Sequence, residues 1–191
     1  MSGAEMPQRD IRLPMAELTP LLADCLAQGQ EVVITITGNS MSPFLRHRRD
    51  QAVLAAADAA GLEPGDVPLY RRRNGQYVLH RVVERRENGV CCRLGAAPCP
   101  AADAAGVQYT MLGDAQTQLE PGIRPEQIVA VATAFYRRGH CRSCDDPAYR
   151  RRVRRWHRLL PVRRWLMAAY RLPGRAGHWV ARHLHPAQEN E

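Results

Sequence analysis

Residues 31–37 read Glu-Val-Val-Ile-Thr-Ile-Thr, with Val32, Ile34 and Ile36 on one side and Val33, Thr35 and Thr37 on the other. That period of two predicts a half-buried strand. Ahead of it, Met15, Leu18, Leu21, Leu22, Cys25 and Leu26 recur at helical spacing, which predicts an amphipathic helix over 14–28, kinked at Pro20 and stopped at Gly29. Further on, apolar alternation predicts strands at 51–56, 67–73, 76–83, 82–86, 90–94, 107–112 and 128–136.

Asn74-Gly75 and Asn88-Gly89 are the dipeptides suited to two-residue hairpin turns, so these strands are expected to form a meander of adjacent antiparallel partners. Residues 95–106, rich in alanine, read as a surface loop. The expected fold is mostly β, with curled antiparallel sheets, an N-terminal helix and a basic helical C-terminal extension. Three parts are expected: an N-terminal segment with the helix (1–30), a β domain (31–138) and an arginine-rich helical tail (139–191).

Length changes this picture little, since 191 residues suit one ordinary core. No run approaches the roughly 18 to 20 apolar residues of a membrane span, and no signal peptide is visible. Six unevenly placed cysteines read as thiols rather than a disulfide framework, so a cytoplasmic location is expected, with peripheral attachment to a membrane as an option.

Charge changes it more. The net charge is +8, and eleven arginines lie from Arg150 onward against only Glu189 and Glu191. In the tail, Trp156, Leu159, Leu160, Trp165, Leu166 and Tyr170 interleave with those arginines. Such a segment, here 150–182, suits an anionic membrane surface or an acidic partner, with nucleic acid less favoured, and it equally suits a helix docked on the core by its tryptophans. All 27 basic residues are arginine, so no lysine can act as a base.

The candidate chemistry sits where the first strand ends. Gly38 and Asn39 turn the chain, and Ser40 follows in Gly-Asn-Ser-Met-Ser-Pro, where a hydroxyl can be held away from the backbone in one orientation. Ser40 is a candidate nucleophile or an ordinary turn serine. His80, on the face of Val78 and Val82, is a candidate base or a packed core histidine, and Asp114 after Gly113 is a candidate acid or a turn aspartate. His140-Cys-Arg-Ser-Cys144 holds half of a zinc-ligand spacing without a second half, so no metal or cofactor is expected.

Four motifs in order, Gly-Asn-Ser40-Met-Ser-Pro, Gly65-Asp66-Val67-Pro-Leu-Tyr, Val-Leu-His80-Arg-Val-Val and Met-Leu-Gly113-Asp114, resemble the signal peptidase I and LexA-like serine peptidases over about the central 100 residues. In that clan the base is a lysine in the bacterial type and a histidine in the archaeal and endoplasmic-reticulum type. The resemblance, with lysine absent, implies Ser40 as nucleophile, His80 as general base and Asp114 as its partner. Glu120 falls near a second acidic position, and Gly38 stands where the bacterial enzymes often place a hydroxyl, an accessory or oxyanion position. Arg49-Asp50 replaces their usual Gly-Asp.

The implied activity is that of a serine endopeptidase cutting a precursor or leader peptide through a Ser40 acyl-enzyme. Self-cleavage is known in repressor relatives of the clan, but no DNA-binding helix-turn-helix accompanies it here. The alternative is a non-catalytic module of the same fold that holds a membrane surface or an acidic partner through its arginines.

Overall fold

The computed structural model describes residues 15–101 and 106–162. It contains two antiparallel sheets and two α-helices. Helix α1 (Met15–Ala27) accommodates Pro20 and buries Leu22 and Leu26, while Leu21 faces solvent. Strand β1 (Val32–Thr35) shows the expected alternation, with Val33 exposed and Val32 and Ile34 packed against the core.

The first sheet runs β1, β2 (Gln51–Ala55), β10 (Ile128–Arg137), β3 (Pro68–Arg71), β4 (Tyr77–Leu79), with β11 (His140–Ser143) also paired to β10. This order is not the simple meander that the hairpin turns suggest. The late strand β10 inserts between β2 and β3, because its apolar run is long enough to pair on both sides. An extra residue at Thr133 shifts its register against β2, so Ala130 and Ala132 are buried before the bulge and Phe135 after it.

The second sheet runs β7 (Cys99–Pro100), β6 (Val90–Arg93), β5 (Arg81–Glu87), β8 (Gln108–Leu112), β9 (Glu120–Ile123). The expected single strand 76–83 is therefore divided at His80. Its first half pairs with β3 in one sheet, and its continuation pairs with β6 and β8 in the other. Tyr70, Val82, Tyr109, Met111 and Ile123 fill the space between the sheets.

Helix α2 (Pro147–Arg158) starts at an Asp146 cap that accepts the Ala148 N–H, with Pro147 fitting the first turn. It buries Tyr149, Val153 and His157. Phe44 meets both Tyr149 and Trp156 edge to face. Full burial of side chains of this kind stabilises by roughly 1.5 to 3 kcal/mol each. The part of the arginine-rich segment up to residue 158 is thus a docked helix, and the boundary expected at 138 falls inside the β10–β11 hairpin. Residues 163–182 of the expected surface segment lie outside the described residues. Among the described residues no helix is long and apolar enough to cross a membrane.

Candidate active site

Ser40 sits in the loop that leaves β1. Gly38 adopts φ +96°, a conformation that disfavours any side chain. Its N–H donates to His47 Nδ1 at 2.8 Å, so the Gly38 amide, at the expected accessory or oxyanion position, is engaged by that imidazole. Ser42 N–H donates to Asn39 O and Leu45 N–H to Met41 O, closing two successive turns around the serine. Among the described residues nothing accepts the Ser40 N–H, which leaves that amide able to face an oxyanion.

The far side of the loop is fixed by a buried acid. Asp50 accepts the Arg46 N–H and both Nε–H and Nη2–H of Arg49, with Arg137 at 3.5 Å. Burial works to raise its carboxyl, but these arginines and the Arg46 amide hold it below the ordinary range. The Arg49-Asp50 pair thus builds its own turn in place of a glycine, with Arg48 carrying the positive φ.

The loop's contact with the second sheet is made through the backbone. Ala115 N–H donates to Ser40 O at 2.7 Å, and a Cβ on Gly113 would lie 2.8 Å from that same oxygen. Glycine is required there by close approach rather than by backbone angle. Arg81 pairs with Leu112 at the end of the β5–β8 ladder, and His80 and Gly113 are the next residues along the chain from that pair. Among the described residues no hydrogen bond joins Ser40 Oγ to His80.

His80 is held from behind. Its side chain is 2% exposed, and Nδ1 lies 3.2 Å from Glu120 Oε1 and 3.4 Å from the Tyr70 hydroxyl. Tyr70 donates its own proton to Glu120 Oε2 at 2.8 Å, so its oxygen can accept from Nδ1. Arg72 grips both oxygens of Glu120, with Nε 2.8 Å from Oε2 and a second bond from Nη2 to Oε1. Burial alone would raise the Glu120 carboxyl, yet Arg72 and Tyr70 hold it low and ionised.

For His80, burial dominates and lowers the imidazole below its ordinary value, with Glu120 opposing and Arg72 assisting. Burial thus favours the neutral imidazole. A carboxylate beside Nδ1 favours the tautomer with the proton there, which leaves the Nε2 lone pair to take one.

Asp114, the expected partner of His80, makes its hydrogen bonds to Arg81 and His157, while its charge still acts on the imidazole. Its carboxylate is fully buried and accepts Nε–H and Nη2–H of Arg81 at 2.9 and 2.7 Å, with His157 Nε2 at 2.9 Å from Oδ1. Burial would raise this carboxyl, but the Arg81 charge and hydrogen bonds, joined by His157, bring it to about 2. Arg81, itself fully buried, also donates to Gly65 O and to the Tyr149 hydroxyl, and Trp156 Nε1–H donates to Asp114 O. Asp114 therefore ties β5, the Gly65 turn and α2 together at the base of the site, while Glu120 occupies the place beside the histidine.

Sequence reasoning placed Glu120 near His80 only through the resemblance, and it missed Tyr70, Arg72, Arg81 and His157. The Asn74-Gly75 hairpin closes through a three-residue loop, 73–75, rather than the expected two-residue turn, so Tyr70 stands opposite Val78 where the expected register has it opposite Leu79, and the turn did not mark Tyr70 or Arg72. Nothing local marked His157, which arrives on a helix from the far end of the chain.

Cys141 is exposed on β11, burial pushes the Cys144 thiol up to about 12, and no metal-ligating cluster exists among the described residues. No protein-family model matches the chain, and no curated protein matches it.

Proposed function

We propose that the protein is a serine endopeptidase of the signal peptidase and LexA-like kind, with Ser40 as nucleophile, His80 as general base and Glu120 as the acid that orients it. The observation that carries this reading is the buried His80 with Nδ1 3.2 Å from the Glu120 carboxylate, next along the chain from the Arg81–Leu112 pair, beside which Gly113 lies against the Ser40 backbone.

In the proposed reaction, His80 Nε2 takes the Ser40 proton as Oγ attacks the scissile carbonyl. The imidazolium is stabilised by Glu120, and the Ser40 N–H donates to the developing oxyanion. The imidazolium then protonates the leaving amine, and an acyl-enzyme remains on Ser40. Water activated by the same nitrogen attacks that ester and releases the acid product. Each half-reaction returns His80 to its neutral form. Arg72 holds Glu120 ionised throughout, so the Glu120 carboxylate orients without taking the proton.

A peptide or protein substrate follows from this chemistry, with a precursor or leader peptide as the proposed class. The test is incubation of a proteome-derived peptide library with the wild-type chain and with Ser40→Ala, followed by mass spectrometry. New termini produced by the wild type alone support the reading. An identical product set from both, or none from either, favours the non-catalytic module.

A further inference from the structure

One face of α2 is charged, and among the described residues no carboxylate pairs with it. Arg151, Arg154, Arg155 and Arg158 fall at i, i+3, i+4 and i+7, a single stripe turned away from the buried Tyr149, Val153 and His157. All four are exposed, and no acid occurs between residues 147 and 162. Like charges at these spacings oppose the helix that carries them.

The sheet arginines are treated differently, for Arg72 pairs with Glu120, Arg81 with Asp114, and Arg86 and Arg93 with Glu84. No carboxylate among the described residues reaches the stripe.

The stripe also borders a hollow. Arg154 and Arg158, with Arg93 and Glu63, line a cavity of about 450 Å³ between α2 and the turn at Gly95. Arg158 Nε–H donates to Gly95 O at 3.4 Å and so holds the turn against the helix.

We propose that this stripe and cavity form a docking groove for an acidic segment of the peptide substrate, an assignment that rests on the peptidase reading above. The stripe spans about 10 Å along the helix, the reach of roughly three extended residues. Carboxylates on such a segment match guanidinium forks in charge and in planar, two-point geometry. Glu63 among the lining residues disfavours a continuous polyphosphate.

At about 3.6 residues per turn Arg154 and Arg158 lie on the side of α2 away from Trp156, whose indole N–H donates to Asp114 O.

The test uses the full chain carrying Ser40→Ala, so that nothing is consumed, and fluorescence anisotropy with two short labelled peptides, one alternating Glu and Ala, the other Gln and Ala. The acidic peptide binds, the neutral one binds about tenfold more weakly or less, and added salt weakens the acidic complex. Arg154→Glu with Arg158→Glu weakens it about tenfold or more. Arg151→Glu with Arg155→Glu does the same, and both variants keep the parent circular dichroism and melting temperature.

Equal binding of the two peptides, or unchanged binding by both folded variants, overturns the proposal. So does stripe-dependent binding of phosphatidylglycerol vesicles without binding of the acidic peptide, which assigns the face to a membrane. Acidic-peptide binding by a chain whose Ser40 no fluorophosphonate labels leaves the groove standing and overturns only its assignment to a substrate.

Discussion

His80 Nδ1 lies 3.2 Å from Glu120 Oε1, and the same carboxylate is gripped by Arg72 and by the Tyr70 hydroxyl. The histidine is therefore backed by an acid that cannot easily be protonated, on the side away from its proton-accepting nitrogen. Asp114, the acid nearer to the serine loop in the chain, belongs to Arg81 and His157.

Glu120→Gln separates these roles. Removing the charge beside Nδ1 is expected to lower the rate of acylation by roughly 10² to 10⁴, the range in which a mis-set histidine tautomer falls. It also moves the midpoint of the pH profile lower, because the carboxylate was opposing the effects of burial and Arg72 on the imidazole. The rate of fluorophosphonate labelling across pH reads both. A rate and profile equal to those of the wild type contradict the assignment of Glu120.

The wild-type pH profile has a definite sign. A base acts in its deprotonated form, and His80 is held below the ordinary histidine value of about 6.5. Labelling is expected to rise with pH to a plateau reached by about pH 7. A midpoint above pH 9 contradicts His80 as the base.

Asp114→Asn should act on stability. It leaves the Arg81 guanidinium buried without its counter-ion, which costs on the order of 3 to 5 kcal/mol. Because the folded carboxyl is depressed to about 2, its stabilisation is complete above the unfolded value of about 3.9 and is lost as pH falls from there through 2. Urea unfolding between these limits measures it. A slope identical in wild type and variant contradicts the pairing.

Tyr149→Phe removes the hydroxyl that accepts from Arg81 and is expected to cost about 1.5 to 3 kcal/mol, the range for a bond to a charged group. Thermal or urea unfolding checks this. A change within about 0.5 kcal/mol contradicts a stabilising contact between α2 and the base of the site.

Gly113→Ala tests the approach of the two loops. The added methyl carbon would lie 2.8 Å from Ser40 O and 2.7 Å from Gln116 Oε1, so the Ser40 turn must move. Displacement of about 1 Å at a reacting group can lower rate about 10²-fold. Labelling is expected to fall by about that factor while circular dichroism is retained. Unchanged labelling contradicts the placement of Ser40 against this glycine.

The strands were legible because alternation and Asn-Gly turns are local signals, as at 31–37 and around Asn88, whereas the loop at Asn74-Gly75 runs to three residues and moves the register by one. The order of strands in the first sheet was not, since the pairing of β10 with both Gln51–Ala55 and Pro68–Arg71 depends on contacts far apart in sequence. The division of strand 76–83 at His80 escaped for a related reason, as an unbroken apolar alternation carries no mark of a change of sheet. In the site, Ser40 and His80 stood out by type and position, whereas the choice between Asp114 and Glu120 turned on which arginine each meets. Arg81 and Arg72 are both strand arginines in the sequence, and only packing distinguishes the buried one from the half-exposed one.

The central claim is a serine made nucleophilic by His80, and fluorophosphonate labelling followed by peptide mapping tests it most directly. The account predicts a single adduct on Ser40 in the wild-type chain, and no adduct in Ser40→Ala or in folded His80→Ala. An adduct that forms equally in His80→Ala, lies on another residue, or never forms at any pH would contradict it.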